Sequence, residues 1–148
     1  MNNPLRTPED YELFLYTLAE EFPLVRSSTL VFIRRGATLA RVTGELQFEQ
    51  GIKLVVRERL LYNNLPLIIH WYGYEVWQND EKRYWYDSQP HPNDPSLAST
   101  HPHHKHIPPD IKHNRIPAPN MSFIQANLPQ LIFEIEQRII KIEHSTTD

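Results

Sequence analysis

The chain has 148 residues, no cysteine, 22% charged residues and a formal net charge of −3 with histidine neutral. That length fits one domain over residues 1–148, large enough to bury a core without staples. The missing thiols exclude disulfides, thiolate zinc sites, iron–sulfur clusters and a cysteine nucleophile, and the charge balance is neither that of a basic nucleic-acid coat nor that of an acidic tail.

Proline (13) and histidine (8) are abundant beside only 4 glycines, and both are concentrated. His91, His101, His103, His104, His106 and His113 lie in one stretch, as do Pro90, Pro92, Pro95, Pro102, Pro108, Pro109, Pro117 and Pro119. The N-terminus has no apolar run behind a basic start, and no apolar run approaches the roughly 20 residues that span a bilayer. The expectation is a soluble, cytoplasmic protein with no membrane partner.

Thr7-Pro8-Glu9-Asp10 predicts a helix start: a capping hydroxyl, a proline suited to the first position, and acids at the positive end of the helix. Tyr11, Leu15, Leu18 and Phe22 continue it at helical spacing, and Pro23 ends it. From Ser28 the period is two. Residues 28–35, 38–48, 52–62, 67–78 and 83–87, separated by short polar or glycine-containing turns, predict five antiparallel strands in a meander. Residues 88–120 have neither period. Their prolines lack ladder donors, so a long loop is expected there. Leu128, Leu131, Ile132, Ile135, Ile139 and Ile142 then mark one face of a closing helix, with Asn127 as its cap. The fold class is α+β: a five-stranded antiparallel sheet, both terminal helices on one face, and a His/Pro-rich loop before the last helix.

Charge is uneven along the chain. Arg26, Arg34, Arg35, Arg41, Lys53, Arg57 and Arg59 fall among only three acids (Glu45, Glu49 and Glu58), so a modest net charge hides a basic sheet face. Arg57 and Arg59 share one strand face, as either a solvated surface or a phosphate track. Trp71, Tyr72, Tyr74, Trp77, Tyr84, Trp85 and Tyr86 crowd the last two strands, where cross-strand core packing competes with base stacking. His70 is read as an ordinary strand histidine.

Thr100-His101-Pro102-His103-His104-Lys105-His106 admits three readings. The histidines are exposed and idle; or the loop binds zinc, nickel or copper, with His91 or Asp87 completing a site; or one or two imidazoles do acid/base work on a phosphodiester. With a pKa near ~6.5, imidazole exchanges protons at neutral pH. Lys105, Lys112 and Arg115 offer phosphate contacts nearby, which favours the third reading. RNA cleavage by this route needs no metal and no cofactor. No phosphate-cradling glycine loop, Gly-x-Ser-x-Gly elbow or His-Glu-x-x-His helix is present in the sequence.

Tyr74-Glu75-Val76-Trp77, an aromatic strand ending at Asp87, His91-Pro92 and His101-Pro102-His103-His104-Lys105-His106 together resemble the TumE toxins of toxin–antitoxin modules. The resemblance runs from about Tyr72 to Ile107. It departs from the family pattern at Ser88-Gln89-Pro90 and lacks a second histidine after His91. It implies a growth-inhibiting toxin acting on RNA, neutralised by a cognate antitoxin, often a helix-turn-helix protein. The combined expectation is an endoribonuclease with His101, His103, His104 and His106 as proton-transfer candidates, together with His91. Asp87 would orient an imidazole, and Lys105, Lys112, Arg115, Arg57 and Arg59 would hold RNA phosphates. Oligomerisation is compatible with this reading. The alternative is a non-catalytic module that uses the loop and basic face to bind metal, nucleic acid or a partner protein.

Overall fold

The computed structural model describes residues 3–88, 95 and 102–140. Thr7 caps helix α1 (Pro8–Tyr16), its Oγ1 accepting from the Asp10 amide at 3.1 Å, with Pro8 in the first turn. The expected single N-terminal helix is broken. Thr17 turns its hydroxyl back onto Leu13 O at 2.7 Å, and the chain resumes as α2 (Leu18–Glu21). Such back-bonding by threonine competes with the helical ladder. The apolar period survives the break, because Tyr11, Leu15 and Leu18 are all buried.

Among the described residues the sheet has eight strands: β1 (Ser27–Ser28), β2 (Val31–Arg35), β3 (Leu39–Gln47), β4 (Ile52–Leu61), β5 (Ile68–Gln78), β6 (Glu81–Asp87), β7 (His104–His106) and β8 (Arg115–Pro117). Neighbours run β1-β3-β4-β5-β6-β7-β8, all antiparallel, and β2 also pairs with β3. Five strands were expected, and two things raise the count. First, the strand expected over residues 28–35 is split opposite Gly44. There a Cβ would stand 2.6 Å from Thr29 O, and the backbone has φ +140°, so this close approach requires glycine.

Second, the stretch expected to be entirely loop contributes β7 and β8. His104-Lys105-His106 is a proline-free triplet, just long enough to pair with β6. Flanking the β7–β8 pair, the Ala118 amide donates to His103 O at 3.1 Å, and the Ile107 amide donates to Asn114 O at 3.0 Å. By antiparallel alternation, the main-chain groups of Arg115 and Pro117 face away from β7. Proline is tolerated there because no ladder bond needs its missing donor.

One face of the sheet carries Val42, Leu46, Leu54, Val56, Tyr72, Tyr74 and Tyr86, all buried in a single core with α1 and helix α3 (Leu128–Ile135). At 25–30 cal/mol per Å², each such side chain contributes about 1.5–3 kcal/mol. The closing helix does not stay α-helical throughout. A π-helical turn, Glu136–Ile140, follows α3 and still buries Ile139 and Ile140. Ile142 lies outside the described residues.

Asn127 precedes α3 without capping it by its side chain. Its amide instead clasps Ser122, accepting from N at 2.9 Å and donating to O at 2.9 Å, and donates to the Tyr74 hydroxyl at 3.1 Å. The same network buries Glu58 on the core face. Tyr11 donates to its Oε1 at 2.5 Å and Tyr74 donates to its Oε2. Helix α1, β4 and β5 therefore meet on one carboxyl group, and Asn127 joins the network through the Tyr74 hydroxyl.

Burial raises the Glu58 pKa above its ordinary value, and the two tyrosine hydrogen bonds partly oppose this. A raised folded-state value means that Glu58 supports the fold fully below the ordinary glutamate range and less as pH rises through the folded value. Denaturant titration across pH should show this decline in wild type and a flatter profile in Glu58→Gln. Tyr74→Phe, which strips one donor from a buried carboxyl, is expected to cost about 1–3 kcal/mol in the same assay.

Candidate functional site

The site forms where β7 pairs with β6. The register sets His104 opposite Asp87, Lys105 opposite Tyr86 and His106 opposite Trp85. Successive side chains on a strand point to opposite faces, so the His103-His104-Lys105-His106 cluster is divided between the two sides of the sheet.

On the side away from the helices, Asp87, His104 and His106 converge. His104 Nε2 lies 2.8 Å from Asp87 Oδ1, and His106 Nε2 lies 3.6 Å from Asp87 Oδ2. The first is hydrogen-bonding distance; the second is too long. Nδ1 of His104 faces Pro102 O at 3.3 Å, and Nδ1 of His106 faces Ile111 O at 2.8 Å. A carbonyl only accepts, so each Nδ1 carries a proton. His106 also stacks on the Trp85 indole, with centroids 3.9 Å apart. Asp87, expected to orient one imidazole, lies beside two.

Lys105 was expected beside these imidazoles as a phosphate contact. It lies instead on the helix side, because period two carries it there. Its Nζ is 3.1 Å from Glu134 Oε2 of α3 and sits 4.3 Å from the Tyr84 ring centroid and 5.2 Å from that of Tyr86. Burial pushes the ammonium pKa down, and the Glu134 carboxylate partly restores it. Tyr86 donates to the same carboxylate at 2.8 Å. His103 is also on this side. Its Nδ1 shares a hydrogen bond with the Tyr72 hydroxyl at 2.7 Å, and its ring packs against Tyr72 and Phe123. The structure therefore separates His103 and Lys105 from His104 and His106. His91 and His101 lie outside the described residues.

The aromatic strands divide by the same rule. Tyr72, Tyr74, Tyr84 and Tyr86 enter the core. Trp71, Trp77 and Trp85 share the open face with cations: Arg59 sits 5.1 Å over Trp71, and Lys82 sits 5.3 Å over Trp77 and 5.0 Å over Trp85. Arg57 and Arg59 are exposed on this face, and neither has a carboxylate partner among the described residues. Arg59 stands directly opposite Arg41, a like-charge pair that costs stability unless an anion lies over it. Arg115 pairs opposite His106, on the same face, while Lys112 is exposed in the turn before β8. Exposed His70 falls at the bulge of β5.

Gly73, opposite Arg57 and Asp87, leaves a hollow of about 200 Å³. Arg57, Trp71, Glu75, Trp85 and Asp87 surround it. Sequence reasoning missed this hollow, and it missed Glu134 as the partner of Lys105. The Trp-Tyr alternation of residues 84–86, opposite Lys105 and His106, is the signal that could have placed the lysine.

These features define a one-sheet α+β protein with a helix-covered face and an open basic face that ends in a carboxylate–imidazole cluster. The family model described as Toxin TumE matches residues 15–139, and the chain belongs to that toxin family. Such a toxin has a cognate antitoxin as partner. No curated protein and no solved structure matches the chain. Among the described residues, no helix is long and apolar enough to cross a membrane.

The buried Lys105–Glu134 pair gives an asymmetric expectation. Glu134→Gln strands a buried ammonium and should cost about 3–5 kcal/mol. Lys105→Met removes that charge and leaves the more exposed Glu134 its tyrosine donor, so it should cost clearly less. Equal losses in urea titrations would contradict this account of the pair.

Proposed function

We propose that this protein is the toxin of a toxin–antitoxin module and that it acts in the cytoplasm as an endoribonuclease. RNA would lie across the open face, with its chemistry at the hollow that Asp87 borders, where the buried His104 and His106 back the carboxylate. The observation that carries this reading is that exposed, carboxylate-free Arg57 and Arg59 share one sheet face with three indoles and with the cluster. Phosphates meet the guanidinium groups, and bases stack on the tryptophans.

In the cleavage step the 2′-hydroxyl loses its proton to a base held at the cluster. Its oxygen attacks the adjacent phosphorus. The bond to the 5′-oxygen breaks, and that oxygen takes up a proton from an acid held at the same cluster, so that one proton is removed and one returned. Arg57 and Arg115 are placed to offset the charge that builds on the phosphorane. His103 and Lys105 act from the other face, as supports that dock β7 onto the core and α3. Lys112 is a peripheral phosphate contact.

An Arg57→Ala/Arg59→Ala double variant, expressed without antitoxin, tests the reading. It should remain folded, retain RNA more weakly, and lower the salt slope of binding by about 1 per arginine removed. Growth arrest should weaken in parallel. Unchanged RNA retention and unchanged arrest in the folded variant would defeat the proposal. RNA retention without cleavage products would instead support a non-catalytic binding module.

A further inference from the structure

The geometry points to a metal site: Asp87, His104 and His106 hold one divalent transition cation of the zinc class. Their three ligand atoms lie within 4.8 Å of one another. Both imidazoles are almost wholly buried, at 0% and 5% exposure, and the carboxylate is 9% exposed.

The tautomers carry the argument. Each Nδ1 donates to a main-chain carbonyl, Pro102 O for His104 and Ile111 O for His106. In a neutral ring this leaves the lone pair on Nε2, and both Nε2 atoms aim at Asp87. Three groups with lone pairs thus converge in a buried place, an arrangement suited to binding a cation. A hydrogen bond accounts for the 2.8 Å contact of His104 with Asp87. It does nothing for His106, whose Nε2 is buried and has no hydrogen-bond partner among the described residues, at 3.6 Å from the carboxylate. One cation would be within the reach of all three groups and would give His106 Nε2 a partner.

The surroundings also suit a metal. Imidazole ligands are commonly oriented by donating their other N–H to a carbonyl, as both do here. Two imidazoles and one carboxylate form a donor set suited to zinc and its neighbours, with a fourth position left for water. Zinc–ligand distances of about 2.0–2.2 Å call for donors no more than about 4.4 Å apart, so small side-chain rotations would draw the trio, whose ligand atoms lie within 4.8 Å of one another, around one ion. Asp87 also borders the hollow over Gly73, so a molecule entering the hollow would reach the ion's surroundings. The inference deepens the nuclease reading only in that last respect. Metal binding itself does not depend on RNA being the substrate.

The test uses the untagged full chain, stripped with chelator and dialysed against zinc sulfate. Elemental analysis should find about one chelator-removable zinc per folded chain, and the melting temperature should rise with zinc. Cobalt in its place should give visible d–d bands. Asp87→Asn keeps the side-chain shape and should weaken zinc binding at least about 10-fold, the smaller effect expected even for an outer-sphere partner. His113→Ala, which alters an exposed His–Asp pair elsewhere, should bind as wild type does. Folded wild-type protein that takes up no zinc would overturn the proposal, as would Asp87→Asn protein that binds zinc as tightly as wild type. Neither readout involves RNA, so a failed cleavage assay and a failed metal assay are separate results.

Discussion

The pairing of three residues, His104-Lys105-His106, onto the end of β6 is the constraint on which both sides of the molecule depend. Main-chain hydrogen bonding fixes the register, and the register leaves the side chains no choice of face. Lys105 goes to the helices, where Glu134 and two tyrosine rings receive it. His104 and His106 go to the other side and close on Asp87. A slip of one residue would exchange these groups, placing imidazoles against α3 and a lysine beside Asp87. Two charged or polar assemblies on opposite faces therefore hold one short strand in place, which three residues of backbone pairing alone would do weakly.

The two faces handle polarity differently. On the helix side, each ionisable group is buried with specific partners: Glu58 with Tyr11 and Tyr74, and Lys105 with Glu134. Such groups contribute less to net stability than apolar substitutes would, but they fix where each helix docks. The open face keeps its arginines in water and covers the tryptophans with cations. This division explains how a chain of net charge −3 presents a basic surface: many of its acids lie in the helices or are paired with neighbouring cations.

The regular elements were legible wherever one period ran uninterrupted. The Thr7 cap, the five long strands and the apolar stripe from Leu128 to Ile139 all follow from side-chain spacing. The pieces that were not legible turn on single contacts. The Thr17 hydroxyl breaks a helix whose apolar spacing continues across the break, and Gly44 splits a strand because a neighbouring backbone comes too close. Asn127 has a capping residue's identity and position, but its side chain is drawn into the Tyr74 network. At the site, the density of histidine marked the right segment and concealed its geometry. Read as a loop cluster, His103, His104, Lys105 and His106 form one group; read as a strand, they form two. The prolines favoured the first reading, because a window of that composition masks a proline-free triplet. Asp87 was identifiable as a partner, whereas Glu134 lies too far along the chain for spacing to reveal.

The placement of Pro117 has a consequence for how the protein behaves in a crowd. Among the described residues the sheet ends at β8, and the last strand of an open sheet is a template on which another molecule's strand can assemble. Because the Ile116 amide and carbonyl face β7, the outward positions belong to Arg115 and Pro117. One of these cannot donate, and the other carries a charge. The proline enrichment that first marked this region as irregular thus also serves as a stop: it ends the sheet with an edge that discourages strand-by-strand growth between copies.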